Sequence, residues 1–153
     1  MTLRVFTAAA VAFSAACACG EPVRGSFVQR RLLKDVGVVL ASSGEWSFEK
    51  GREFVWSTLK PVPSRFAATP TNYTFTAGGR TSVRRLEMRI DDFARLFEMK
   101  EMKDFVDRVE TGGESPAYSD GEVTIPSSLR VFFKNGDRLD IAISRAVDSG
   151  HGR

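Results

Sequence analysis

Hydrophobic and polar residues alternate with a period of two over most of the chain after residue 20, which predicts a protein built mainly from β-strands. The clearest example spans residues 38–57, where two alternating runs flank a Lys50-Gly51 turn. We therefore expect a hairpin of two antiparallel strands here. One face of this hairpin carries four aromatic residues, Trp46, Phe48, Phe54 and Trp56.

Three further segments carry strand signals. Residues 129–144 alternate on both sides of Asn135-Gly136, a dipeptide that strongly favours a tight hairpin turn. Residues 72–76 alternate with Tyr73 and Phe75 on one face, and a pair of glycines follows them. Residues 25–34 are ambiguous, because they fit either a short helix or the first strand.

Residues 84–109 have a different composition and predict helix. They are rich in Leu, Met, Glu, Lys and Arg, which are good helix formers. The apolar residues at helical spacing are Leu86, Ile90, Phe93 and Phe97, followed by Met102, Phe105 and Val109. One long helix or two short ones, the second capped by Asp91-Asp92, both fit, and residues 105–110 also fit a strand. Strands, helix and strands in this order predict an α+β fold, with an antiparallel sheet and a helix packed on one face.

The first 20 residues have the three parts of a secretory signal. Arg4 gives a positive start, an apolar run follows, and small residues close the segment. The apolar run is shorter than the roughly 20 residues that span a bilayer. Both cysteines, Cys17 and Cys19, lie in this segment, and either one is a candidate for a lipid anchor. We expect a signal at 1–20, a single domain at 21–146 and a flexible tail at 147–153.

Charge and candidate chemistry favour no catalytic role. The formal net charge is +3, and the charged residues are interspersed, which argues against a nucleic-acid partner. The only histidine, His151, lies near the end of the chain in a glycine-rich tail. The sequence shows no catalytic motif, no set of metal ligands at suitable spacing and no cofactor signature, so we expect a protein that is not an enzyme.

The aromatic face is the remaining feature that suggests a function. It consists of Trp46, Phe48, Phe54, Trp56, Tyr73 and Phe75. These residues either fill an ordinary core between sheet and helix or line an apolar cavity for a lipid. The pattern alone leaves both interpretations open.

Three short motifs resemble a known family when their order and spacing are taken together. They are residues 25–29 (GSFVQ), 43–48 (SGEWSF) and 54–56 (FVW), with Pro61 behind the third. In this order they resemble the periplasmic outer-membrane lipoprotein carriers of the LolA type, of which the chain would be a short, divergent member. The resemblance covers about residues 25–145.

The resemblance implies a fold, a site and a compartment. The fold would be a strongly curved antiparallel sheet, an unclosed half-barrel, with helices on its concave face. Nine residues would contact the lipid, namely Phe27, Trp46, Phe48, Phe54, Trp56, Tyr73, Phe75, Phe93 and Phe97. Three methionines, Met88, Met99 and Met102, would add adaptable apolar surface. Lys50 and Arg52 occupy the turn in which the family carries an arginine, which implies a role in cargo release or partner contact.

The implied function is a monomeric periplasmic carrier. It would hold lipoprotein acyl chains, or another lipid, and move them between the envelope membranes, with membrane transfer proteins on both sides as partners. The alternative is an exported, non-catalytic domain with a filled core that binds a protein during envelope assembly.

Overall fold

In the computed structural model, which describes residues 21–146, the chain forms an open antiparallel sheet of nine strands. The predicted signal, residues 1–20, and the predicted tail, residues 147–153, lie outside the described residues. The strands of the large sheet are β1 (Val23–Leu33), β2 (Val38–Glu49), β3 (Glu53–Lys60), β4 (Ser64–Ala68), β5 (Asn72–Ala77), β6 (Arg80–Arg85), β7 (Val106–Gly112), β10 (Ser128–Phe133) and β11 (Arg138–Arg145). Two short strands, β8 (Tyr118–Ser119) and β9 (Thr124–Ile125), pair separately.

The sheet has β6 and β7 at its edges and does not close, in the order β6-β5-β4-β3-β2-β1-β11-β10-β7. Six consecutive strands therefore form a meander, and the C-terminal strands return to pair beside β1. The ambiguous segment near the start of the chain is a strand, hydrogen-bonded to β2 on one side and β11 on the other. The predicted antiparallel, unclosed sheet is confirmed.

Both predicted hairpins are present. In the first, Trp46 lies opposite Trp56 and Phe48 lies opposite Phe54, so that the four rings share one buried face. In the second, β10 and β11 join through the turn at Asn135-Gly136, and Gly136 takes the positive φ of 92° that such a turn requires.

The helical segment is much shorter than the sequence predicts. Only Phe93–Lys100 forms an α-helix (α1), and Lys103–Phe105 forms one turn of 3-10 helix. The side chain of Asp92 caps α1 by accepting a hydrogen bond from the backbone N–H of Arg95. Of the segment predicted as helix, residues 84 and 85 belong to β6, which is paired in full with β5, and residues 106–109 belong to β7, which is paired with β10. The alternative prediction of a strand over residues 105–110 agrees with β7. Local helix propensity is overridden here by hydrogen bonding to neighbouring strands.

The predicted apolar stripe holds in part. Leu86 and Ile90 are buried as expected, although neither is helical. Met102 and Phe105, by contrast, are 62% and 59% exposed, so the prediction that they continue the buried stripe is wrong. The chain leaves the helix before these residues, and they point away from the core.

The helix packs against the aromatic face of the sheet. The ring of Phe97 meets Trp56 edge-on at 4.6 Å between centroids, and Phe93 meets Phe54 edge-on at 5.2 Å. Within residues 21–146, no helix is long and apolar enough to cross a membrane.

Candidate ligand-binding cleft

Most of the predicted lipid-binding side chains form a filled core. Seven of the nine are at most 5% exposed, namely Phe27, Trp46, Phe48, Phe54, Trp56, Phe93 and Phe97. Phe27 and Trp56 stack with only 3.7 Å between ring centroids, which leaves no room for a ligand between them. The arrangement of these seven residues agrees with the first of the two interpretations of the aromatic face, an ordinary packed core.

Two glycines of the sequence motifs make this packing possible. A Cβ at Gly25 would overlap the carbonyl oxygen of Ser144 and the indole of Trp46. A Cβ at Gly44 would overlap the ring of Phe27 and the backbone of Ser57. The aromatic rings thus lie directly over glycine backbone, and the Trp46 Nε1 donates a hydrogen bond of 3.1 Å to the Ser144 carbonyl. The motif glycines therefore have a packing role.

An open apolar cleft of about 520 Å³ lies beside this core. It is bounded by β4, β5 and β6 on one side and by the C-terminal end of α1 and the 3-10 helix on the other. Its apolar lining consists of Phe66, Tyr73, Phe75, Met99, Met102, Phe105 and Phe133. Two of the nine predicted lipid-binding residues, Tyr73 and Phe75, are in this set, and both are half-buried.

No sequence pattern predicts Phe66, Phe105 or Phe133 as site residues. Phe105 and Met102 lay on the helical stripe and were therefore expected in the core. The one available signal was the methionine content of residues 84–109: Met99 and Met102 are in the lining as predicted, whereas Met88 is not. Phe66 and Phe133 carry no local signal, because they lie on β4 and β10, which are far apart along the chain and are not neighbours in the sheet.

Charged residues surround the apolar lining. Four are basic and two are acidic, namely Arg31, Arg84, Lys100, Lys103, Glu101 and Asp104. The Arg31 guanidinium lies 4.4 Å from the centroid of the Phe133 ring, and it approaches Glu101 at 3.9 Å. Lys100 pairs with Glu101 at 2.7 Å. Arg31 and Lys100 therefore both form ion pairs with Glu101.

Arg31 is also tied to the turn between β10 and β11 through Asp137. The two side chains approach to 3.6 Å, and Asp137 is almost completely buried. Asp137 accepts a 3.1 Å hydrogen bond from the backbone N–H of Lys34, and this bond is the main cause of its lowered pKa. Hydrogen bonding from Asn135 and the charge of Arg31 lower the pKa further, against the opposing effect of burial.

The predicted cargo-release residues lie at the opposite end of the sheet from the cleft. Lys50 follows the end of β2 that pairs with the start of β1, whereas Arg31 lies near the end of β1. The Lys50 Nζ pairs with Glu122 at 2.5 Å and with Asp120 at 3.4 Å. Arg52 pairs with Glu49 at 3.1 Å. Lys50 therefore joins the β2–β3 turn to the β8–β9 hairpin.

This junction also shifts pKa values. The carboxylate of Asp120 accepts hydrogen bonds from the backbone N–H groups of Val123, at 2.8 Å, and Glu122, at 2.9 Å, which hold its pKa well below the usual range. The hydrogen bond to Glu122 raises the pKa of Lys50. Both groups keep their charges at neutral pH, so the junction between turn and hairpin is ionic.

Among residues 21–146, no group of three or more His, Cys, Asp or Glu side chains is placed to hold a metal ion. The candidate site is the apolar cleft with a charged rim described above. No model of a known protein family matches the chain, and a comparison with curated proteins finds no match.

Proposed function

We propose that this protein is an exported carrier that binds an acyl chain of a lipoprotein, or of another lipid, in the cleft. In this proposal the sheet curves around α1 and the carrier moves its cargo between the membranes of the envelope. The binding residues are those of the cleft, with Tyr73 and Phe75 retained from the sequence prediction and the seven buried aromatic residues acting as scaffold.

The observation that carries the proposal is the exposure of Met102 and Phe105 in the same cleft. A folded chain usually buries large apolar side chains, and single exposed ones need no explanation. Here two of them join Tyr73 and Phe75 in one continuous concave surface. Such a surface is typical of an apolar ligand site, and the volume falls within the usual range for one.

The energetics suit a carrier. Each methylene removed from water contributes about 0.8 kcal/mol, so a chain of ~15 methylenes gains ~12 kcal/mol in whichever apolar phase holds it. A carrier must bind the acyl chain about as strongly as a membrane does. If it bound more weakly it would not load, and if it bound more strongly it would not unload. A partly open cleft leaves some of the acyl chain in contact with water, which lowers the affinity of the carrier toward that of the membrane. Methionine side chains in the cleft wall can adapt to different acyl chains.

The alternative function, an exported domain that binds a protein partner, is favoured by one separate observation. The β2–β3 pairing begins only at Ser43, so the first part of β2 has no β3 partner. In that part Val38, Val39 and Leu40 are about half exposed. This part of β2 is paired with β1 on one side only. Apolar residues at such a free strand edge are suited to adding a strand from another chain.

We would test the carrier function by native mass spectrometry and lipid extraction on the exported chain purified without detergent. A stoichiometric lipid or lipopeptide is expected. A mass free of lipid, together with failure to take up a fluorescent acyl probe, would contradict the proposal and leave the protein-binding alternative.

Substitution of the exposed cleft residues locates the site. Met102→Gln and Phe105→Gln should each weaken binding of the acyl probe about fivefold to tenfold, because each removes part of an apolar contact worth on the order of 1 kcal/mol. Val62→Gln and Val83→Gln are matched controls, since both valines are exposed outside the cleft. Equal losses in all four variants would place the acyl chain elsewhere.

A further inference from the structure

Some of the charged side chains around the cleft form ion pairs and others do not. Arg31 and Lys100 are held by Glu101 and Asp137. Arg84 and Lys103 are exposed and have no ion pair within residues 21–146, although both line the cleft. The acidic lining residues are Glu101, which is paired, and Asp104. Asp104 likewise has no ion pair among these residues, so the unpaired side chains of the rim are two cations and one carboxylate, which leaves an excess of positive charge.

These two cations stand on different walls of the cleft. Arg84 lies directly opposite Tyr73 in the pairing of β5 and β6, so its side chain projects from the same face of the sheet as that ring. Lys103 belongs to the 3-10 helix, immediately after Met102. Each cation thus adjoins one of the apolar lining residues, which is the arrangement that a ligand with a charged head and an apolar tail requires.

We propose that the ligand is an acyl-chain amphiphile with an anionic headgroup, a carboxylate or a phosphate, which Arg84 and Lys103 bind while the chain lies against Tyr73, Phe75 and Met102. This inference rests on the proposed function, because it specifies the lipid held in the same cleft. The planar guanidinium of Arg84 suits both headgroups, since it can donate two parallel hydrogen bonds to either. Lys103 adds a point charge from the other wall.

The small number of cations favours a single headgroup over a membrane surface. Recognition of anionic membranes through charge typically uses clusters of four to eight lysines and arginines, on the order of twice or more the number free here. Two cations beside an apolar cleft match the charge of one carboxylate or phosphate. A lipid headgroup therefore fits the site better than a bilayer does.

The test is a calorimetric titration of the exported chain with amphiphiles of equal chain length. It is carried out at about 50 mM salt, where exposed charges are weakly screened. Dodecanoate and dodecyl phosphate carry the two anionic headgroups, and dodecanol is the neutral probe. We expect both anions, or one of them, to bind at least about tenfold more tightly than dodecanol. At about 0.5 M salt the preference should shrink to a few fold, because the cations are exposed.

Two variants and two controls assign the preference to named residues. Arg84→Gln and Lys103→Gln should each lower the affinity for the anion about fivefold and leave dodecanol unchanged, as expected for exposed charge pairs. Arg85→Gln is the matched control, since Arg85 is the next residue of β6 and projects from the opposite face. Lys60→Gln controls for loss of a lysine outside the cleft.

The outcomes separate the two proposals. If dodecanol binds as tightly as the anions, or if the controls lose as much affinity as the two variants, the headgroup inference is overturned and the acyl-chain function stands. If no amphiphile binds, the carrier function itself fails. Binding of the anions with the predicted loss in Arg84→Gln and Lys103→Gln supports both.

Discussion

At the scale of single residues, Met102 has the least expected backbone conformation. Its φ is 64°, and it is the only described residue other than glycine with a positive φ. It follows Glu101, the C-cap of α1, at the position where helices commonly end in glycine. A side chain in this region costs roughly 1 kcal/mol. A methionine kept at this cost, exposed in the cleft, is consistent with a binding role.

This conformation predicts opposite effects on stability and binding. Met102→Gly should raise the free energy of unfolding by about 0.5–1 kcal/mol, because glycine adopts positive φ without strain, less the entropy that it adds to the unfolded chain. The same variant should weaken acyl binding, since the cleft loses an apolar wall. Urea unfolding and probe titration measure the two effects. Lys103→Gly should lower stability, and a parallel loss in Met102→Gly would contradict the prediction.

At the scale of elements, the buried aromatic residues around Trp56 form the packed core. Trp56 is 1% exposed and its ring lies against Phe27, Phe54, Phe93 and Phe97. These contacts join β3 to β1 through Phe27 and to α1 through Phe93 and Phe97. The core is therefore centred on β3.

Trp56→Ala should accordingly lower the free energy of unfolding by about 3–5 kcal/mol, because the cavity that it leaves is walled by rigid rings. Chemical denaturation followed by circular dichroism measures this loss. Val83→Ala, at an exposed position of β6, should change stability by less than about 0.5 kcal/mol. A Trp56→Ala variant that retained full stability and lost only lipid binding would show that Trp56 lines a cavity after all.

The Asp137 carboxylate links the β10–β11 turn to the end of β1 and makes their association sensitive to acid. Its pKa is lower in the folded chain than in the unfolded one, where it is about 3.9. The stabilisation is therefore fully present well above that value and is lost as the pH falls through the folded pKa. Asp137→Asn keeps an acceptor for the Lys34 N–H and removes the titration.

We expect the free energy of unfolding of the wild type to fall more steeply below about pH 5 than that of Asp137→Asn. Urea unfolding at neutral pH and at about pH 3 measures the difference. Asp35→Asn, in the exposed turn after β1, reports what removal of a carboxylate does without the buried contacts. Identical pH profiles for the wild type and Asp137→Asn would exclude this linkage.

The elements also show which parts of the structure can be predicted from the sequence. The two hairpins follow from alternation and from Asn135-Gly136, because these signals are local. The length of the helix was overestimated, since residues 84–85 and 106–109 pair with β5 and β10, whereas the alternative strand over residues 105–110 was predicted correctly. The core aromatic residues were identified, but their alternation cannot distinguish a lining from a packed face.

The cleft could not be predicted for a reason that applies to the whole molecule. Phe66 and Phe133 are 67 positions apart in the numbering, and they line one cleft although β4 and β10 are five positions apart in the strand order of the sheet. The pairing of β1 with β11 joins the β1–β6 meander to the C-terminal strands. It extends from Gly25 opposite Arg145 to Leu32 opposite Arg138. A pairing of such long range leaves no local pattern.

The direction of β1 sets which end of the molecule faces an attachment point. β1 starts at Val23 and passes Arg31, a cleft residue, eight positions later, which is about 25 Å along a strand. A segment that precedes Val23 therefore joins the domain at the end remote from the cleft. If Cys17 or Cys19 carried a lipid anchor, the cleft would lie at the end of the domain remote from the anchoring bilayer. It would then open toward the aqueous space and toward any membrane on the other side of that space.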